Sequence, residues 1–543
     1  HLAFPEVFDA AGKGGFDVVL GNPPWERVKL QEKEFFEAKD EAIAGALNAS
    51  VRKKMIAELQ KNNPELWEEY HQALHTAEAL SKFFHLSGCF PLGGRGDVNL
   101  YQVFAEKDRS LMATTGRVGI IVPTGIATDD SNKYLFADLV EKNQIASLFD
   151  FENRKGIFQD VHRSYKFCLL TLRGNQGNVK TSGKFAFFLY TTDDLQIDEK
   201  LFELNKNDFA LLNPNTLTCP IFRTRNDFYL TKKLYQQAQI LINDNCDKNQ
   251  WGISFKAGYF NMATDSQYFK TKGQLEELGY KLNGSIYIKD TNIYLPLYEA
   301  KMFWLFDHRF GTYKGVDNRK DTHLPPLDSR YMKSYIESWY WVDKNDWIRR
   351  SATWNHNWLI AYRRISNVTN ERTFVATFIP FYPVGDNVFL IFPHNANTQD
   401  SCFLLANLAS FVLDFITRQK MGGLNLNFFI VKQLPIINCL RKKELVNFYV
   451  PKILELVYTS LDLFDFFEEL WKDCELETRE SIISQSRQNV LITSLKMNNI
   501  SNGFDDNIIT DNKTKIPPFI WDEERRFQLR CDLDALFGHL YNL

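Results

Sequence analysis

The residues of this chain best suited to chemistry are Asn22, Pro23, Pro24 and Trp25. Asn22 offers a side-chain carbonyl acceptor and an NH₂ donor. Pro23 and Pro24 fix their φ angles and donate nothing from their backbone nitrogens, yet keep their carbonyls as acceptors. Trp25 adds a large flat face. Acceptors in one plane beside an aromatic plate suit an exocyclic amino group on a flat heterocycle. The bland alternative is an Asn-Pro turn after a strand, a common turn signal.

These four residues need an element to aim them. Phe16-Asp17-Val18-Val19-Leu20 is an apolar run of strand type that ends at Gly21. The tetrad therefore starts a stiff loop at the C-terminal end of a strand, where open α/β sheets put their ligands. Downstream, Gln31 to Leu80 is rich in Glu, Lys, Ala and Leu with helical spacing of its apolar residues. A Gly-rich loop, Gly88 to Asp97, precedes a helix from Asn99 to Ala113. Gly116 to Pro123 contains a strand, Lys133 to Asn143 reads as a helix, and Ile145 to Phe151 and Tyr165 to Leu172 read as strands. This alternation predicts an α/β domain with a parallel sheet. Gly12-Lys13-Gly14-Gly15 leads into a strand instead of following one, and Gly93-Gly94-Arg95-Gly96 follows no clear strand. Neither has the context of a phosphate cradle, and the second is expected to be a flexible loop.

The chain has 543 residues, room for two to four domains, and its 44 % hydrophobic and 14 % aromatic content allows large cores. A net charge of −3 gives no global basic signature, so any nucleic-acid binding must come from a local cleft. Cysteines 89, 168, 219, 246, 402, 439, 474 and 531 lie far apart, with no Cys-x-x-Cys or Cys/His cluster. No metal is expected, and the spread fits buried thiols in a reducing cytoplasm. Phe403 to Ile416, the best apolar run, is short and contains Asn407 and Asp414, so it reads as a buried helix and no membrane is expected as a partner. No signal peptide is expected. The chain opens with His1, which suggests the later part of a longer polypeptide.

The tetrad resembles that of amino-group DNA methyltransferases, in the Asn-Pro-Pro-aromatic form used on adenine N6. The resemblance implies that a target adenine flips out of the duplex, that Asn22 and the Pro23 carbonyl accept its two N6 hydrogens, and that Trp25 stacks on the ring while S-adenosyl-L-methionine donates the methyl. The alternation of elements resembles the later half of the Rossmann-like class I sheet in the gamma class of these enzymes. In that class the cofactor fingerprint precedes the tetrad, so it is expected upstream of His1 or on a separate subunit. Asp97 to Leu100 resembles the segment lining the cofactor pocket before a helix; Asp97 and Asn99 either contact the methionine end of the cofactor or cap the helix, and the two roles are compatible. An aromatic preceding the last strand packs on the second face of the base in that family. Phe158 fits best by spacing, Tyr165 second, and the alternative for Phe158 is an ordinary core position.

From about Thr216 the βα alternation fades and aromatics cluster. Leu295 to Met302, Phe306 to Phe310, Asn367 to Thr373, Ala376 to Pro380 and Gly422 to Pro435, together with the N-terminal motifs, resemble the single-chain adenine methyltransferases of type IIG restriction–modification and phage-exclusion systems. That resemblance implies a catalytic domain over 1–215, a mixed α+β target-recognition domain over 216–440 and a helical region over 441–543. Arg349, Arg350, Arg363, Arg364, Arg372 and Lys420, among Trp339, Trp341, Trp347, Trp354, His356 and Trp358, are expected to meet double-stranded DNA at base edges or phosphates; the alternative is a core with snorkelling arginines. Lys443 to Cys474 reads as a long helix interrupted near Pro451, Ser484 to Lys515 as a loose surface excursion, and Asp522 to Leu543 as a closing helix.

No Pro-Asp with a following Asp/Glu-x-Lys is present, and Asn355-His356-Asn357 lacks the second His of a His-Asn-His nuclease. A nuclease, if there is one, is expected upstream or among other defence-system proteins. The alternative function is a non-catalytic DNA-recognition module. RNA or a protein glutamine is a third possible substrate class.

Overall fold

The apolar run before the tetrad forms strand β1 (Phe16–Gly21), which pairs in parallel with β2 (Met112–Val122). A computed structural model describes residues 3–8, 14–46, 49–175, 182–321, 323–328, 330–438, 442–496 and 516–543. Strands β3 (Ile145–Glu152), β4 (Lys166–Arg173), β5 (Gly183–Leu189) and β6 (Phe202–Leu204) complete a six-stranded sheet in the order β1-β2-β4-β3-β5-β6.

The sheet is mixed, which corrects the expectation of a parallel one. β4 runs antiparallel to both β2 and β3, and β6 runs antiparallel to β5. Residues 153–165 join β3 to β4 with only a short 3₁₀ turn. Without a crossover helix, sequential neighbours pair antiparallel. Strands β1, β2, β3 and β5 share one direction, so their C-terminal ends lie along one edge of the sheet. β1 is the terminal strand, with Val18 68 % and Leu20 84 % exposed. An uncovered apolar edge strand is a template for pairing.

The helical stretch after the tetrad is four helices: α1 (Glu32–Glu37), α2 (Glu41–Ala44), α3 (Ala49–Asn62) and α4 (Pro64–Leu86). They enclose a core of their own around Phe36, Ile56, Leu59 and Tyr70. Pro64 starts α4, where its missing N–H costs nothing, and the Asn63 side chain caps Leu66 N at 3.2 Å. After the Gly-rich loop, α5 (Leu100–Leu111) leads directly into β2.

Two compact units divide the chain: 1–236 with 419–422, and 237–418 with 423–543. In the second, four antiparallel strands are ordered Ala376–Pro380, Trp358–Arg363, Val388–Pro393, Ile253–Ala257. The first three are buried along almost their whole length. A four-stranded meander (Lys281–Asn283, Ile286–Lys289, Asn292–Pro296, Trp341–Asp343) and the C-terminal helices complete it.

Three helix expectations are corrected. Phe403 to Ile416 belongs to two helices, Thr398–Ala409 and Phe411–Arg418, because Ser410 is extended. Among the described residues no single helix is long and apolar enough to cross a membrane. Pro451 lies inside the helix Lys443–Val457, and the break comes later, before Phe464–Asp473. Residues 484–496 continue the helix Leu476–Lys496, while 497–515 lie outside the described residues. The closing helix, Glu523–Leu540, begins as expected, with Asp522 capping Arg525 N at 2.8 Å.

Candidate active site

Asn22, Pro23, Pro24 and Trp25 leave the C-terminal end of β1 as an extended loop. Pro23 is buried, Pro24 and Trp25 are half-buried, and Asn22 is exposed, its side chain engaging no other group among the described residues. The Trp25 indole N–H donates to Ile121 O at the end of β2, at 3.3 Å. That bond fixes the ring across the ends of two adjacent strands.

Phe158 arrives from the third strand end. It packs, as Trp25 does, against the cluster of Phe151, Phe167, Ala186 and Leu189, with its ring edge-on to Phe167 at 5.0 Å. A residue not singled out in the sequence holds it there. Asn153 is fully buried; its amide donates to Phe158 O at 2.8 Å and to Val161 O at 2.7 Å, and its carbonyl accepts from Phe158 N at 3.0 Å. One side chain thus ties down the whole 153–161 turn. An Asn that follows a strand and precedes Gly156, which sits at φ 73°, was the available signal. Tyr165 is 56 % exposed and stands outside this cluster.

Asp97 and Asn99 are brought to the same loop by backbone pairing. Arg27 and Asn99 form an antiparallel bridge, with Val28 N to Val98 O at 3.1 Å and Leu100 N to Glu26 O at 2.9 Å. Asn99 also starts α5, and its N–H donates to Gln102 Oε1 at 2.7 Å in a capping box. Asp97 is exposed, and its carboxylate has no partner among the described residues. A free carboxylate beside a half-buried amide suits the ammonium and carboxylate of an amino acid, so these residues fit the methionine end of S-adenosyl-L-methionine.

The Gly-rich loop is internally occupied. The carboxylate of Glu106 accepts from Leu92 N at 3.2 Å and Gly93 N at 2.6 Å. A Cβ on Gly94 would run into Phe84 O and Phe90 O. These glycines permit close packing, and a phosphate would have to displace a carboxylate. Gly12 and Lys13 lie outside the described residues.

Below the edge, Asp150 of β3 is buried and accepts from the Thr124 hydroxyl and from Phe188 N. Burial pushes its carboxyl above the usual carboxylate range, against the opposing pull of Lys166. It ties the loop after β2 to strands β3 and β5.

The six cations expected at DNA fall in varied settings. Lys420 is buried, bonded to Leu212 O at 2.6 Å and to the Asn213 side chain, and burial drives its pKa well below normal. Arg372 is buried against Asp534 at 2.6 Å. Arg363 donates to Phe303 O and stacks on Trp304 at 4.5 Å. Arg350 pairs with Asp265 at 3.2 Å and donates to Tyr259 O. Arg364 is half-buried near Phe389. Arg349 is 74 % exposed and pairs, among the described residues, with Asp346, one helical turn back. Trp341, Trp347 and Trp358 are core residues whose indole N–H groups donate to Ser285 O, Phe381 O and Glu469. His356 Nδ1 donates to Glu469 Oε2 at 2.7 Å, a packing role.

No family model matches the chain, and no curated protein matches its sequence. Several solved structures do show similarity. One is the Type IIL restriction-modification enzyme MmeI in complex with DNA, at 11 % identity and TM-score 0.38, over 85 % of this chain and 52 % of that one. Another is the ATP-dependent Type ISP restriction-modification enzyme LlaBIII bound to DNA, at 10 % identity and TM-score 0.36, over 82 % and 30 %. A third is the type I restriction-modification system methyltransferase subunit from Streptococcus thermophilus, at 14 % identity and TM-score 0.19, over 38 % and 37 %. All three are restriction–modification proteins. The chain spans about half the length of the MmeI chain.

Proposed function

We propose that this chain is the catalytic and target-recognition part of a DNA adenine-N6 methyltransferase of the restriction–modification kind. The observation that carries the reading is the tetrad itself, presented at the C-terminal end of β1 with Trp25 and Phe158 converging on one apolar cluster. The flipped adenine enters between these loops. Asn22 and the Pro23 carbonyl accept the two N6 hydrogens and turn the nitrogen lone pair outward. Trp25 and Phe158 hold the ring by stacking, worth about 1–3 kcal/mol per base. S-adenosyl-L-methionine supplies an activated methyl group, and Asp97 and Asn99 hold its methionine end. Catalysis in this scheme is positioning, with no proton transfer needed before attack. The Gly-rich turn and ribose-binding acid belong to an upstream segment or subunit that pairs along the free edge of β1. Residues 216–440 read the target, with Arg349 as the exposed cation of that set. The test is methyl transfer to DNA by the full-length protein, mapped by single-molecule sequencing. N6-methyladenine at one short motif is expected, moving to another motif when 216–440 is exchanged with that of a relative. No modified base, or a motif indifferent to the exchange, overturns the reading.

A further inference from the structure

The loop that leaves the tetrad runs directly into a second feature. Arg27, Lys29, Lys33, Arg52 and Lys53 line one cavity of about 390 Å³. Only two carboxylates share the lining, Glu32 and Asp97. Glu32 is committed to Arg52 Nε at 3.1 Å. The side chains of Arg27, Lys29, Lys33 and Lys53 make no hydrogen bond or ion pair among the described residues.

The cations come from separate segments held in place by the fold. Arg27 is fixed by its backbone bridge to Asn99. Lys33 stands in the first turn of α1, and Arg52 and Lys53 stand on α3, whose inner face is locked into the helical core by Ile56 and Leu59. Like charges gathered around one cavity repel. An arrangement with four unpaired cations and one unpaired carboxylate is relieved by an anion among them. The overall charge of −3 makes this concentration local.

We infer that this cavity binds backbone phosphates of the DNA strand that carries the target base. The inference rests on the proposed reading of the tetrad. Asn22 and Arg27 are five residues apart, at most about 18 Å of extended chain. That is the span of about five phosphates at 3.4 Å per nucleotide. Phosphates flanking a base held at Asn22 and Trp25 therefore lie within reach of the cavity. Lys and Arg at phosphates fix register and carry no sequence information, which suits residues beside the chemistry and outside the region assigned to recognition.

The experiment uses the full chain and a fluorescent duplex of roughly 30 base pairs, with anisotropy read across salt concentrations. K29Q/K53Q should bind more weakly at low salt, with a log–log salt slope shallower than wild type by about 2, since each lost phosphate contact removes about 0.9. K29R/K53R should keep the wild-type slope. K107Q/K206Q, an equal charge change at exposed lysines away from the cavity, should also keep it. An unchanged slope in K29Q/K53Q, or an equal change in K107Q/K206Q, overturns the inference. So does inorganic phosphate that binds wild type but not K29Q/K53Q and leaves the duplex bound, which would make this a free-phosphate site. The two readings fail separately: a shallower slope without methyl transfer removes the activity and leaves the site, and methyl transfer with an unchanged slope does the reverse.

Discussion

Arg27 and Asn99 face each other across an antiparallel bridge, so the loop after the tetrad and the start of α5 move as one piece. We propose two roles for Asn99, helix cap and contact to the methyl donor, which a substitution separates. Asn99→Ala loses the helix cap, at about 1 kcal/mol, and should raise the KM for the methyl donor several-fold. Asn99→Asp retains a capping oxygen but not the amide. If donor KM recovers fully in Asn99→Asp, the residue is a cap only.

Asn153 should behave as a positioning residue for Phe158. Removing it leaves Phe158 N–H, Phe158 O and Val161 O without their buried partner, and each such loss costs about 1–3 kcal/mol. Asn153→Ala should reproduce the Phe158→Ala change in the fluorescence of 2-aminopurine placed at the mapped target base, with DNA affinity near wild type. A wild-type fluorescence signal in Asn153→Ala, in a variant that remains folded, would detach the turn from base holding.

The second unit should lose stability in acid through Glu469. Burial raises its pKa, but hydrogen bonds from His356 and Trp358 outweigh burial and hold it below the ordinary glutamate value. A carboxylate depressed in the folded state stabilises above its unfolded pKa, near 4.3, and that contribution fades as pH falls through the folded value. Glu469→Gln should cost about 1.5–3 kcal/mol at pH 7, with the gap to wild type narrowing below pH 4. A pH-independent gap in urea denaturation would show that the carboxylate charge plays no part.

What the sequence made legible was local. Phe16 to Leu20 shows its strand by composition, and the tetrad shows its loop by two prolines. The direction of β4 was not legible, because a buried strand has the same apolar pattern whichever way its neighbours run. The cations misled for a similar reason. Arg363 and Arg372 look like groove readers on paper, yet carbonyls and carboxylates distant in sequence, Phe303 and Asp534, receive them inside the fold. The cavity lined by Lys29 and Lys53 escaped notice because its residues are spread over 27–97 among ordinary helical charges. Asn153 showed itself only as an Asn between a strand and Gly156; its anchoring role was not legible, because its three bonds depend on the shape of the turn.

Cofactor binding should expose the open edge of β1. With Val18 and Leu20 uncovered, titration calorimetry of this chain alone should show weak or undetectable S-adenosyl-L-methionine binding. Binding should return when an upstream segment bearing the Gly-rich turn is supplied in cis or as a subunit. Low-micromolar affinity in the isolated chain would place the whole cofactor site within these residues.

The most direct test of the tetrad is tritiated-methyl transfer by the full-length protein and its Asn22→Ala variant on the same DNA. Asn22 supplies the only side-chain acceptor of the tetrad, so its loss should fall on the transition state. A drop on the order of 10²–10³-fold in kcat is expected, the scale seen when one stabilising hydrogen bond is removed, with DNA affinity within about twofold of wild type. Turnover near wild type in Asn22→Ala would contradict the account.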